Sequence, residues 1–158
     1  MLTVGVDSYV SLSETENYIK DNVLSDRESR KAWSVQSDEH KEILLKNACA
    51  DIQAQVFSGK KLDLSQKLAF PRVRIDSVSD DETIKSAQIE QALFINTSAF
   101  ADFESRRALM LQGVKSFSLG DLSESYSDNA AASGKAPVLA PKSRSLLAEW
   151  LGGGYRVR

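Results

Sequence analysis

Cysteine is almost missing from this 158-residue sequence: Cys49 stands alone. A single thiol excludes an internal disulfide and fits a reducing compartment. Histidine is equally scarce, and with only His40 one chain can build neither a histidine-based metal cluster nor a histidine dyad. No apolar run approaches the roughly 20 residues that a bilayer span requires. The opening MLTVGVDSYV has no basic stretch followed by an apolar one, so no signal peptide is expected. A cationic surplus is missing too. Twenty Lys and Arg face 22 Asp and Glu, a formal net charge of -2. Chains that grip nucleic acid through its phosphates usually carry a positive excess, so any contact with DNA is expected to be local, weak or steric.

What is present is an ordinary globular balance, 42% hydrophobic and 27% charged residues, enough for one core without staples. Ser11-Leu12-Ser13-Glu14 is a capping-box pattern and predicts a helix from about 12 to 23, with Leu12, Tyr18, Ile19 and Val23 on its apolar side. Polar residues 25–37 read as a loop anchored by Trp33. Ser37, followed by Asp38 and Glu39, opens a helix over about 38–58, with Ile43, Leu44, Ala48, Ile52 and Val56 at helical spacing and Gly59 as its left-handed stop. Pro71 forces Phe70 out of helical geometry, so Phe70 is expected to plug the core from an extended turn. Asp80, Asp81 and Glu82 start a third helix running to about 100, with Ile84, Ala87, Leu93 or Phe94, Thr97 and Phe100 buried, and 106–112 adds a further turn or two.

The period then changes. Phe117 and Leu119, then Leu122 and Tyr126, flank Gly120-Asp121 with serines between them, which predicts a hairpin over 114–126 with Leu119 opposite Leu122. Residues 127–141, rich in Ala, Ser, Gly and Pro, read as a linker or mobile loop. A last helix over 142–151 carries Leu146, Leu147, Trp150 and Leu151, and Gly152-Gly153-Gly154 frees a tail, Tyr155 to Arg158. From 142 onward four basic residues face one acid. The expected fold is thus mainly α: a small bundle of about four helices with one β-hairpin and a mobile C-terminal arm. The expected division is a core at 1–126, a linker at 127–141 and a C-terminal helix and tail at 142–158.

Chemistry-bearing motifs fail one by one. Cys49 sits on or beside a helix's apolar face and reads as a structural thiol. Ser133-Gly134-Lys135-Ala136 lacks the hydroxyl of a phosphate loop, and Asn129 stands where its first glycine belongs. Asp80-Asp81-Glu82 is explained by helix capping. Lys60-Lys61 and Arg72–Arg74 are the best basic candidates outside the tail, with solvated loop charges as the simpler reading. No catalytic, cofactor or metal site emerges, and a non-enzymatic subunit that packs against other chains is expected.

An ordered series of segments resembles the tailed-phage head–tail connector (adaptor, or head-completion) proteins, and within them a sub-group labelled DnaT-like single-stranded-DNA-binding proteins. It comprises Thr3-Val4-Gly5, Asp7-Ser8-Tyr9-Val10-Ser11-Leu12, Trp33, Phe57-Ser58-Gly59, Gln66, Leu68-Ala69-Phe70-Pro71-Arg72, Ile84, Ala87-Gln88, Ala92-Leu93 and Gly113-Val114-Lys115-Ser116. The resemblance implies a virion protein of the phage neck, made in the host cytoplasm. It implies a homo-oligomeric ring, typically dodecameric, between the portal protein and a tail-side neck or tail-terminator protein, with double-stranded DNA passing through. On that reading Trp150, Tyr155, Arg156 and Arg158 are portal anchors, and the hairpin residues Phe117, Leu119, Asp121, Leu122 and Tyr126 meet a neighbour or the lumen. The rival reading is a single-stranded-DNA-binding or replisome-loading module. Such binders line a positive groove with stacking aromatics, whereas Trp33, Trp150, Tyr126 and Tyr155 are scattered here.

Overall fold

A computed structural model describes residues 1–111, 116–119, 122–125 and 138–152; for 110, 111 and the two strands within 116–125 it describes the backbone alone. Among these residues six helices are formed: α1 (Leu12–Asn22), α2 (Glu28–Ser34), α3 (Asp38–Gln53), α4 (Asp81–Ile95), α5 (Ser98–Leu111) and α6 (Pro141–Leu147). A three-stranded antiparallel sheet, β1 (Lys60–Lys61), β2 (Arg72–Arg74) and β3 (Ser77–Val78), lies between α3 and α4, and the strands β4 (Ser116–Leu119) and β5 (Leu122–Ser125) pair as a hairpin. The fold is mainly α, as the sequence predicts, and Leu119 does pair with Leu122.

The caps form where the side chains demand them. Ser11 accepts from the Glu14 amide while Glu14 reaches back to the Ser11 amide, and Ser37 and Asp80 cap α3 and α4. Helix α4 is the axis of the core, packing against α6, α3, α2, α5 and α1. Because neighbours surround it, Ile84, Ala87, Gln88, Ile89, Gln91, Ala92 and Leu93 are all buried. One cluster gathers Val10, Ile19, Trp33, Leu44, Leu45, Ala48, Ile89 and Leu93. The other joins Tyr9, Cys49, Ile52, Phe70, Ile84, Leu147 and Trp150. Phe70 is its hub, edge-on to Phe57 at 4.7 Å and to Trp150 at 6.0 Å.

Three glutamines fasten irregular chain to the helices. Gln88 accepts the Tyr9 amide (2.7 Å) and donates to Ser8 Oγ and the Leu45 carbonyl (both 2.8 Å). Gln53 accepts the Ala69 amide and donates to Tyr9 Oη, and Gln91 accepts the Ala140 amide and donates to Asp51 and the Val138 carbonyl. Each is a long amide that meets a backbone group no secondary structure can satisfy.

Several boundaries differ from the sequence reading. Residues 28–34 form a helix because Trp33 must face the core and donate Nε1–H to Glu16. Helix α3 stops at Gln53, not near 58, since Phe57 leaves to pack edge-on against Phe70. Its buried stripe is Leu44, Leu45, Ala48, Cys49 and Ile52, so Ile43 and Val56 stay exposed. Gly59 is left-handed (φ 74°) but serves the sheet: a Cβ there would sit 2.6 Å from the Val73 carbonyl oxygen. The third predicted helix breaks after Ile95, where Thr97 turns its hydroxyl back to the Phe94 carbonyl and Glu28 caps the new helix at Ser98.

Helix α6 packs on the core. Leu147 and Trp150 are buried, Leu151 bridges Phe57, and the Ser58 amide donates to the Trp150 carbonyl at 2.9 Å. Val138 to Ala140 already pack on Gln91.

Candidate functional site

The groups most suited to chemistry are committed to structure. Burial pushes the Cys49 thiol up to about 11, so it stays protonated. His40 lies exposed on the first turn of α3. Among the described residues no group of three His, Cys, Asp or Glu could hold a metal ion. Glu14 is held at about 2 by Lys85, with the Ser11 hydroxyl and amide adding to it. The groove there, between α1 and α4, is lined by Glu14, Asp21 and Glu82 together with Lys85.

The sequence-predicted anchors divide. Trp150 is 4% exposed and fills the core beneath Arg74, whose guanidinium carbon lies 4.5 Å from the ring centroid. Of Phe117, Leu119 and Leu122 the backbone pairing is described. Asp121, Tyr126, Tyr155, Arg156 and Arg158 lie outside the described residues.

What the fold does bring together is charge. Residues 60–79 carry Lys60, Lys61, Lys67, Arg72 and Arg74 against Asp63 and Asp76, and the described residues 138–152 carry Lys142 and Arg144 against Glu149. These two stretches meet. The Arg74 guanidinium donates to the Glu149 carbonyl at 2.9 Å and to its carboxylate, and Gly152 packs against Ser58, two residues before β1.

The sheet that carries these cations is turned inside out. Side chains alternate along a strand and directly opposed residues share a face. The register pairs Lys61 with Arg72 and Arg74 with Ser77, placing the cations on the face toward the body. There Arg72 donates to the carbonyls of Ser58 (2.8 Å) and Gly59 (2.7 Å), and Lys61 to that of Gln66 (3.0 Å). These cations are therefore not solvated loop charges. Carbonyls hold Lys61 and Arg72 in place without cancelling their charge, whereas Arg74 is paired with the Glu149 carboxylate, and Lys60 and Lys67 are exposed. The opposite face carries Val73 beside Lys60 and Val78. Val78 is 57% exposed, Leu62 53% and Ile75, at the β2–β3 turn, 100%. Lys60-Lys61 and Arg72–Arg74 were visible as basic pairs in the sequence. Their union with the last helix, and the outward aliphatics, were not, because alternation over strands of two or three residues is too short to read.

Comparison with known proteins narrows what this site serves. No curated protein matches the chain, and no solved structure does. One family model matches residues 2–158, and it is not that of a head–tail connector. The expected adaptor role and ring, with the portal and tail partners and the passage of double-stranded DNA, rested on that connector resemblance and fall with it. The chain belongs to the family described as "Putative DnaT-like ssDNA binding protein".

Proposed function

We propose that this chain binds single-stranded DNA, with the cationic sheet β1–β3 as the contact surface. The observation that carries the reading is the gathering of Lys60, Lys61, Lys67, Arg72 and Arg74 against only Asp63 and Asp76 in residues 60–79, on a chain whose net charge is negative. Phosphates need local positive potential rather than a global surplus, and this is where the fold concentrates it. Lys60 and Lys67 are the cations available for direct contact, while Arg72 and Lys61 add a fixed field behind them. A binding rather than a catalytic role is supported by the burial of Cys49 and the isolation of His40.

The test is fluorescence anisotropy of a labelled oligo(dT) across a salt series. The affinity should fall with salt, and K60E/K67E should weaken binding and flatten the slope by about 0.7 per lost phosphate contact. Wild-type protein that fails to bind at low salt, or a K60E/K67E variant that binds like wild type, overturns the proposal.

A further inference from the structure

We infer that the outward aliphatic face of the sheet, Leu62, Val73, Val78 and Ile75, takes the unstacked bases of the bound strand; this rests on the single-stranded-DNA reading above. A sheet that packs on a helical body normally buries its apolar side and presents its charges to water. Here the order is reversed: Arg72 and Arg74 face Phe57, Trp150 and their carbonyls, and the aliphatics face outward. Ile75 is fully exposed and Leu62 and Val78 more than half exposed, so the face lacks a cover within the described chain. Contiguous exposed apolar surface marks a contact site.

Its surroundings select the occupant. Lys60 lies on the same face, directly opposite Val73, and Lys67 is exposed in the β1–β2 connection; only Asp63 and Asp76 oppose them on the segment. A ligand that fits must offer flat apolar surface and negative charge together, in alternation. Single-stranded nucleic acid does so, its phosphates meeting the lysines and its bases lying on the aliphatics. Duplex DNA keeps its base faces stacked inside and can use only the lysines. The aliphatic face therefore sets the preference for single strands, and the cations set the salt dependence.

The two contributions separate in one experiment on the full chain. L62S/I75S/V78S alters only exposed positions and leaves the core untouched. Binding is measured by anisotropy to three probes of equal length: oligo(dT), a duplex, and an abasic sugar–phosphate strand. The triple variant is expected to lose about tenfold affinity for oligo(dT) at every salt concentration, roughly the worth of one buried aliphatic side chain. Its salt slope should be unchanged, as should its affinity for duplex and abasic strand, which give the substitutions nothing to remove. If the triple variant binds oligo(dT) like wild type, the bases lie elsewhere; the inference fails and the single-stranded-DNA reading stands. If it loses equally for all three probes, the face acts on the backbone and the inference fails as well. If wild-type protein binds no probe, both fail.

Discussion

Replacing Gln88 by leucine removes the side chain that fastens the N-terminal segment to the helical core. Gln88 is fully buried and holds the Tyr9 amide, Ser8 Oγ and the Leu45 carbonyl at 2.7 to 2.8 Å. Leucine nearly matches its volume, so no large cavity opens, and the cost is that of stranded polar groups. The Tyr9 amide loses its acceptor, which costs about 1–3 kcal/mol when buried. Ser8 keeps its bond to the Val10 carbonyl, and the Leu45 carbonyl keeps its place inside α3, so each of these adds less. The expected loss for Gln88→Leu is about 2–4 kcal/mol, a large share of a typical 5–15 kcal/mol stability. Urea denaturation followed by circular dichroism reads it as a lower midpoint with an unchanged slope. Gln88→Glu sharpens the test. Its carboxyl would be buried and its pKa raised by desolvation, so the variant should be closest to wild type below about pH 4 and weaken as the pH rises through the raised value. A Gln88→Leu variant within about 0.5 kcal/mol of wild type would refute the idea that these amide contacts hold the segment in place.

Two further outcomes probe other parts of the fold. Glu14 is depressed to about 2 by Lys85 and Ser11, so its contribution is present above its ordinary value of 4.5 and is lost as the pH falls toward 2. Stability of wild type should therefore drop more steeply over that window than that of Glu14→Gln, and parallel curves would count against the pairing. Leu147, fully buried in the cluster around Phe70, should cost about 2–5 kcal/mol as Leu147→Ala; a thermal midpoint close to wild type would mean that α6 is peripheral after all.

The sequence announced its helices through local chemistry and concealed the site because that depends on distant contacts. Ser11 with Glu14, Ser37 and Asp80 cap helices with side chains that lie within three residues of the amides they serve, and each start was legible. Phe70 before Pro71 was legible for the same reason. Helix ends were less so: α3 ends early because Phe57 is drawn to Phe70 and Leu151, partners 13 and 94 positions away. Gln53, Gln88 and Gln91 look like surface residues in sequence, since nothing local marks which backbone groups they will meet. The face of the sheet was hidden altogether. Arg72 and Arg74 read as solvent-facing, and it is partners distant in sequence, among them the carbonyls of residues 57–59, Glu149 and the ring of Trp150, that turn them inward.

The antiparallel bridge between Phe57 and Leu151 also dictates when the molecule can be completed. A ribosome delivers the chain from its first residue onward, so Phe57 and Phe70 exist for some 80 residues of synthesis before Trp150 and Leu151 emerge to cover them. Closing so long a loop is entropically costly and slow compared with helix formation. Until then the aromatic hub stays open on one side, the state in which a nascent chain is most prone to aggregation. A message truncated before α6 should thus yield a sticky intermediate rather than a shorter working protein.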